Sequence, residues 1–162
     1  MENSRDARFK TMAAQLGHSF DGETSVGGHY APVVQHGAEV YISGQVPRVG
    51  QTVVVTGRVG ADVTLPQAQT AAKICVMRGL ALLRQTLGSL DQIERMLRMT
   101  VYVQCSPDFT ELSEVADGAS DVLHAILGDA GIHTRTSVGV FQLPKNASVE
   151  LDLVAAAKTT AG

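Results

Sequence analysis

Apolar residues recur at helical spacing in three stretches of the chain, which predicts three α-helices. The stretches are residues 5–16, 64–88 and 106–128. A glycine stands at the end of each one, at Gly17, Gly88 and Gly128, where a left-handed residue terminates a helix. Thr64 and Pro66 suit a helix start, because threonine caps the first turn and proline is tolerated within it. The first helix is short and has a polar side, so it is interpreted as an addition to the main body.

Strand patterns occupy the intervals between the helices. Residues 31–36 and 39–43 flank Gly37-Ala38 and predict a β-hairpin, residues 51–55 predict another β-rich stretch, and residues 95–103 alternate in polarity. The chain ends in two further strands, 134–141 and 148–155, whose short Leu-Pro-Lys-Asn-Ala connector predicts a second hairpin. This order of elements predicts an α+β fold, with helices on one face of a sheet.

The predicted last hairpin places candidate chemistry on one face. When its apolar faces are matched, Arg135, Ser137, Glu150 and Asp152 lie together on the polar side. A guanidinium can hold a carboxylate through two parallel hydrogen bonds, and a glutamate can position or deprotonate water. Taken alone, such a face has a simpler interpretation as a solvated surface. A structural interface ion pair of Arg135 with Glu150 or Asp152, without catalysis, is the corresponding alternative for the arginine.

Composition narrows the class of protein. The 162 residues are 44% apolar, which fits one domain with a sizeable core. The net charge of −3 gives no electrostatic reason to expect a nucleic-acid or membrane partner. Cys75 and Cys105 are too few for a disulfide framework or a zinc cluster, and the histidines lack metal-ligand spacing. No secretory signal or long apolar run is apparent, so a soluble, cytoplasmic protein is expected. Neither a metal nor a nucleotide cofactor is expected.

Four blocks of sequence resemble the reactive intermediate deaminase family, also called the Rid or YjgF family. The blocks are Gly28-His-Tyr-Ala-Pro32, Tyr41-Ile-Ser-Gly-Gln-Val-Pro47, Thr100-Val-Tyr-Val103 with Pro107-Asp-Phe109, and His133-Thr-Arg-Thr-Ser-Val138 continuing through Leu143-Pro-Lys145 to Glu150-Leu151. The resemblance implies a mixed sheet backed by two long helices, as in the small trimeric chorismate mutase fold. It also implies homotrimers with a ligand cleft at each subunit interface. The expected organisation is an N-terminal helix and connector over 1–26, the family domain over 27–157 and a flexible tail over 158–162.

The resemblance assigns roles to five residues. Arg135 matches the arginine that binds the substrate carboxylate, and Glu150 matches the carboxylate that positions the hydrolytic water. Tyr30, Ser43 and Ser137 match residues of the substrate-binding cleft. The implied reaction is the cofactor-independent hydrolysis of enamines or imines, such as 2-aminoacrylate, to a 2-oxo acid and ammonia. The substrate would be small and carboxylate-bearing.

Departures from the family pattern keep other functions open. Ser137 stands where the family usually has cysteine, and the family's asparagine on the second long helix is missing, with Ser113 near its position. A 2-aminomuconate-type deaminase is therefore an alternative, as is a regulatory trimer that binds carboxylates without catalysis. The ribonuclease label attached to the family is disfavoured by the net charge, the absence of tryptophan and the lack of a histidine pair.

Overall fold

A computed structural model describes residues 3–22 and 26–159, so parts of the expected connector and tail lie outside the described residues. The helices are α1 (Arg5–Leu16), α2 (Leu65–Leu87) and α3 (Leu112–Leu127). The strands are β1 (Val33–His36), β2 (Glu39–Gln45), β3 (Arg48–Val49), β4 (Thr52–Val53), β5 (Ile93–Gln104), β6 (Thr134–Val140) and β7 (Val149–Ala157). Short 3₁₀ turns occupy Leu90–Gln92, Gly128–Gly131 and Pro144–Asn146.

Five strands form one mixed sheet in the order β1-β2-β7-β5-β6, and β3 pairs with β4 in a separate ribbon. The pairs are antiparallel except β5–β6, which is parallel because α3 carries the chain back across the sheet between these strands. The predicted first hairpin is confirmed, with β1 and β2 joined at Gly37-Ala38. The predicted α+β fold with an added N-terminal helix is likewise confirmed.

Capping explains where the helices begin and end. Gly17 ends α1 with φ 74°, as predicted, and the Ser4 hydroxyl, for which no prediction was made, caps its start. Thr64 and Gln67 form a reciprocal capping box at the start of α2, which ends at Gly88. The predicted start of the third helix at residue 106 is wrong, because α3 begins at Leu112 and the chain makes a turn at Pro107-Asp108. The Ser106 hydroxyl donates to Asp108 Oδ1 at 3.0 Å, so its side chain closes that turn instead of capping a helix.

The core lies between one face of the sheet and the helices α2 and α3. A methyl group at Gly79 of α2 would lie 2.6 Å from Leu153 Cδ1, so a larger residue there would require the Leu153 side chain of β7 to move. Phe9 anchors α1, with 1% of its surface exposed. Burial of each large apolar side chain contributes roughly 1.5–3 kcal/mol, so this layer dominates stability. Within the described ranges, none of the helices combines the length and apolar character needed to cross a membrane.

The prediction that the last two strands form a hairpin is wrong, because β5 lies between β6 and β7. The connection after β6 passes over the end of β5 instead of turning back on β6. The side chain of Gln104 holds it there, accepting from Leu143 N at 2.8 Å and donating to Asn146 Oδ1 at 2.7 Å. Lys145 and Asn146 both adopt φ 58°, which gives this short connection its sharp turn.

Candidate active site

The strand order decides which faces the candidate residues occupy. Arg135 of β6 is opposite Met99 of β5, which in turn is opposite Leu153 of β7. Opposed residues in neighbouring strands share a face, and Met99 and Leu153 are buried beneath the helices. Arg135 therefore lies on the helix side of the sheet, and Ser137, two residues further along β6, lies on the same side.

Glu150 and Asp152 lie on the opposite face. They are opposite Tyr102 and Thr100 of β5, whose side chains point away from α2 and α3. The prediction that Arg135, Ser137, Glu150 and Asp152 share one face is therefore wrong within one chain. The error follows from the assumed hairpin, because inserting β5 between the strands changes the register that relates them.

Arg135 is held by the side chains of α3. Its Nη1 donates to Asp117 Oδ1 at 2.8 Å and to Ser120 Oγ at 2.9 Å, and its Nη2 donates to Ser113 Oγ at 2.7 Å. Within one chain the acidic partner of Arg135 is Asp117, and neither Glu150 nor Asp152 pairs with it. The Arg135 side chain is 19% exposed, so its guanidinium remains accessible at the edge of the sheet.

His133 extends this hydrogen-bonded cluster. Its Nε2 lies 3.0 Å from Ser120 Oγ, and its Nδ1 lies 2.6 Å from the carbonyl oxygen of Gly131. The consistent proton arrangement runs from Arg135 Nη1 to the Ser120 hydroxyl and from that hydroxyl to His133 Nε2. Burial lowers the pKa of His133, with smaller lowering effects from the nearby His124 and Arg135. The imidazole is therefore held in its neutral form.

Glu150 lines a second, separate location, a cavity of about 120 Å³ at the end of β2. One extra residue in β2 between Ile42 and Gln45 interrupts its pairing with β7 and opens the sheet at this point. The polar and glycine residues around the cavity are Gly27, Tyr30, Gly44, Gln45, Arg48, Arg78, Lys145 and Glu150. The cavity therefore brings a carboxylate, a phenol and several cationic side chains together within one chain.

Gly44 and Glu150 are in close contact. A methyl group at Gly44 would lie 2.5 Å from Glu150 Oε1, so the carboxylate lies against the bare backbone of β2. Burial raises the pKa of Glu150, and the neighbouring charge of Asp152 raises it further. A carboxylate with a raised pKa is a stronger base than an exposed one, which suits it to take a proton from water.

The remaining predicted site residues differ in their surroundings. Tyr30 lines the Glu150 cavity and is 51% exposed. The Ser43 hydroxyl donates to the Ala31 carbonyl at 2.7 Å and so ties β2 to the segment that carries Tyr30. Ser137 is half-buried near Arg135, away from Glu150. In the chain outside residues 1–2, 23–25 and 160–162, no three His, Cys, Asp or Glu side chains form a metal-binding group.

Sequence reasoning missed Arg78, which lines the cavity together with Glu150. This arginine interrupts an otherwise apolar run of α2, from Ile74 to Leu83, and is itself only 7% exposed. A charged residue inside such a run is the signal that could have identified it, because buried charges are rare and need partners.

Comparison with known proteins identifies the family. Residues 11–157 match the model of the family described as "YjgF/chorismate_mutase-like, putative endoribonuclease". The chain belongs to the YjgF/chorismate-mutase-like family. The mixed sheet with α2 and α3 on one face is the fold expected of a YjgF-family member.

Proteins similar to this chain include one curated relative and two solved structures. Protein TCP17 of Trypanosoma cruzi is 39% identical over 125 residues, covering 76% of this chain and 78% of that protein. The crystal structure of Atu1372 from Agrobacterium tumefaciens, a protein of unknown function, is 34% identical, covers 95% of both chains and has a TM-score of 0.84. A Shewanella oneidensis structure described as an endoribonuclease is 27% identical, covers 95% of this chain and 99% of that one, and has a TM-score of 0.87.

Proposed function

We propose that this protein hydrolyses reactive enamines or imines of small carboxylic acids to a 2-oxo acid and ammonia. The observation that carries the proposal is the position of Glu150 in a cavity with Tyr30, where burial raises the pKa of its carboxylate. An imine carbon is already electrophilic, so the protein has only to bind a carboxylate, place a water molecule and move protons. No cofactor is needed for these steps.

The proposed reaction begins after the enamine has tautomerised to the imine by moving a proton from nitrogen to carbon. Glu150 takes a proton from water as the water oxygen bonds to the imine carbon, and the electron pair of the C=N bond moves to nitrogen, which gains a proton. The resulting carbinolamine then loses its C–N bond. The amine nitrogen leaves with a further proton as ammonia, and the hydroxyl oxygen gives up its proton to become the carbonyl of the 2-oxo acid.

Arg135 is proposed to bind the substrate carboxylate from a neighbouring subunit of a homotrimer. In one chain it lies on the other face of the sheet from Glu150, so the two groups can act on one molecule only across an interface. Two features support such an assembly. The face that carries Glu150 exposes Val34, Tyr41 and Val138 at 54%, 44% and 38%, and β6 is an edge strand.

The test is the release of ammonia and 2-oxo acid from freshly generated 2-aminoacrylate, measured above the rate of its spontaneous decay. Glu150→Gln is expected to lower kcat by about 100-fold or more, since general base catalysis contributes that much. Arg135→Ala is expected to raise KM by about tenfold or more, the value of a charged hydrogen bond. Exposed Glu94→Gln and Arg95→Ala on β5 are matched controls that keep native rates.

The outcomes separate the possible functions. The deaminase proposal is supported if the native protein accelerates the hydrolysis of 2-aminoacrylate and the acceleration depends on Glu150 and Arg135. A mass measurement that shows a stable monomer contradicts the intersubunit site. If the protein accelerates the deamination of 2-aminomuconate but not that of 2-aminoacrylate, the substrate class changes and the hydrolytic deamination stands. Carboxylate binding without turnover of either substrate would favour the regulatory role and overturn the deaminase.

A nuclease function is less well supported by this chain, although the family description contains the term endoribonuclease. The net charge of −3 and the three tyrosines and four phenylalanines provide little for phosphate binding or base stacking. We therefore expect no cleavage of single-stranded RNA under conditions in which 2-aminoacrylate is hydrolysed.

A further inference from the structure

Arg78 carries a charge into the interior of the molecule. It belongs to α2, is 7% exposed, and lies between the apolar neighbours Met77 and Leu80. Its Nε donates to Gln45 Oε1 at 3.2 Å, and its Nη1 donates to the Arg48 carbonyl at 3.0 Å. Both acceptors are neutral, so these hydrogen bonds orient the guanidinium without balancing its charge.

The guanidinium of Arg78 has donors to spare. An arginine has five N–H groups, and the described residues accept from Nε and Nη1 but provide no acceptor for Nη2. The ion pairs among these residues are Arg84–Asp21 and Arg135–Asp117, so no described carboxylate pairs with Arg78. Burial and, to a smaller extent, the nearby charge of Arg48 lower the pKa of Arg78. The ligand-free protein therefore destabilises the charged form of this side chain.

Arg78 also borders open space on two sides. It lines the cavity of about 120 Å³ that contains Glu150 and a neighbouring cavity of about 340 Å³ beneath Phe20. Arg48 lines both of these cavities as well. A buried cation with free donors at the wall of a cavity provides what a small anion needs, namely charge, hydrogen bonds and shelter from water.

We propose that Arg78 is a second carboxylate-binding residue of the Glu150 site, and that the preferred ligands of this protein therefore carry two carboxylates. This inference rests on the proposed function, in which Arg135 takes the first carboxylate. Arg78 takes the second, in the cavity that Glu150 also lines. Planar guanidinium groups suit carboxylates, and Gln45 holds this one in a fixed orientation.

The test compares two product-like ligands of equal length, 2-oxoglutarate and 2-oxopentanoate, which differ only in the second carboxylate. Binding to the native protein is measured by calorimetry, and we expect 2-oxoglutarate to bind about 10- to 100-fold more tightly, the value of a buried charged hydrogen bond. Arg78→Met, which keeps the length of the side chain and removes its charge, is expected to abolish this preference. Lys73→Met removes a charge from the same helix outside either cavity and should preserve it.

Stability measurements distinguish binding from a structural role of Arg78. Arg78→Met removes a desolvated charge but also takes the donors from Gln45 Oε1 and the Arg48 carbonyl, and these effects oppose each other, so the unliganded variant should melt near the native Tm. A Tm of Arg78→Met near the native value means that a lost preference for 2-oxoglutarate reports lost binding and not unfolding. If Arg78→Met does not fold, Arg78→Lys serves instead, and it should keep part of the preference because it keeps the charge.

Two results overturn the proposal: equal affinity of the native protein for the two ligands, and an unchanged preference in Arg78→Met. A different set of results would mark failure of the deaminase proposal. In that case 2-oxoglutarate is preferred through Arg78, yet no enamine or imine with one or two carboxylates is hydrolysed. Turnover of 2-aminoacrylate together with equal binding of the two ligands would have the opposite meaning, since deamination would stand and the Arg78 site would not.

Discussion

Arg135 Nη1 lies 2.8 Å from Asp117 Oδ1, so the arginine proposed to bind substrate is already paired with an acid of its own chain. Asp117 is 57% exposed, which makes the pair a weak one in solvent. Because Asp117 accepts from Arg135 Nη1, an incoming carboxylate competes with Asp117 for the same guanidinium. The pair thus restrains the side chain and at the same time reduces its affinity for substrate.

Removing the competing charge should improve binding. Asp117→Asn keeps an acceptor near Arg135 but leaves the guanidinium charge unbalanced, so KM for the substrate should fall by up to about fivefold, the value of an exposed ion pair. The measurement is steady-state turnover at low ionic strength. Asp121→Asn, an exposed neighbour on α3, is the control that leaves KM unchanged. A rise in KM in Asp117→Asn would mean that the acid positions Arg135 and does not compete with substrate.

The contact between Gly44 and Glu150 leads to a second prediction. Gly44→Ala places a methyl group 2.5 Å from the present position of Oε1, and the carboxylate has to move because it is the end of a flexible side chain. Displacement of a catalytic group by about 1 Å can lower kcat by about 100-fold, while the fold loses little. Turnover and thermal melting of Gly44→Ala measure these two effects separately.

The double variant shows whether that loss acts through the carboxylate. In a Glu150→Gln background the general base is already absent, so adding Gly44→Ala should lower kcat little further. An additional loss as large as that of the single variant would place the effect of the methyl group elsewhere in the cavity.

The raised pKa of Glu150 predicts how stability depends on pH. Because the folded protein favours the protonated carboxyl, Glu150 contributes stability below its ordinary pKa of 4.5, and this contribution is lost as the pH rises through the folded value. Glu150→Gln stays neutral at every pH. Its Tm should therefore exceed that of the native protein at pH 7, and the difference should shrink below pH 4.5. A lower Tm of Glu150→Gln at pH 7 would mean that the ionised carboxylate stabilises the fold.

Local signals in the sequence were sufficient for the individual elements. The bounds of α1 and α2 follow from Ser4, Thr64 and the glycines at their ends, because caps act within one turn of the chain. The first hairpin follows from its turn at Gly37. The pairing of β6 and β7 with β5 could not be obtained in this way, since it depends on contacts between residues far apart in sequence.

That one error in pairing accounts for the error in the site. The resemblance identified Glu150 and Tyr30, which do line one cavity, but the assumed hairpin joined Arg135 to them within a single chain. A strand-helix-strand order over residues 93–140 is itself a signal for a parallel crossover, and it would have placed β6 beside β5. Arg78 was missed for a different reason: the apolar run of α2 marks it as a buried charge, but the cavity that it lines is formed by residues far apart in sequence.

The lowered pKa of His133 predicts how the stability of the protein changes below pH 6.5. The folded protein lowers its pKa from the ordinary value of 6.5, chiefly by burial, so it favours the neutral ring that accepts from Ser120. A group of this kind contributes stability above the ordinary pKa, and the contribution is lost as the pH falls through the folded value. The native Tm should therefore decrease as the pH is lowered from 6.5, and part of that decrease should be absent in His133→Gln. Exposed His36→Gln on β1 should retain the full pH dependence. Parallel Tm curves for the native protein and His133→Gln over this range would show that the titration of His133 is not linked to folding.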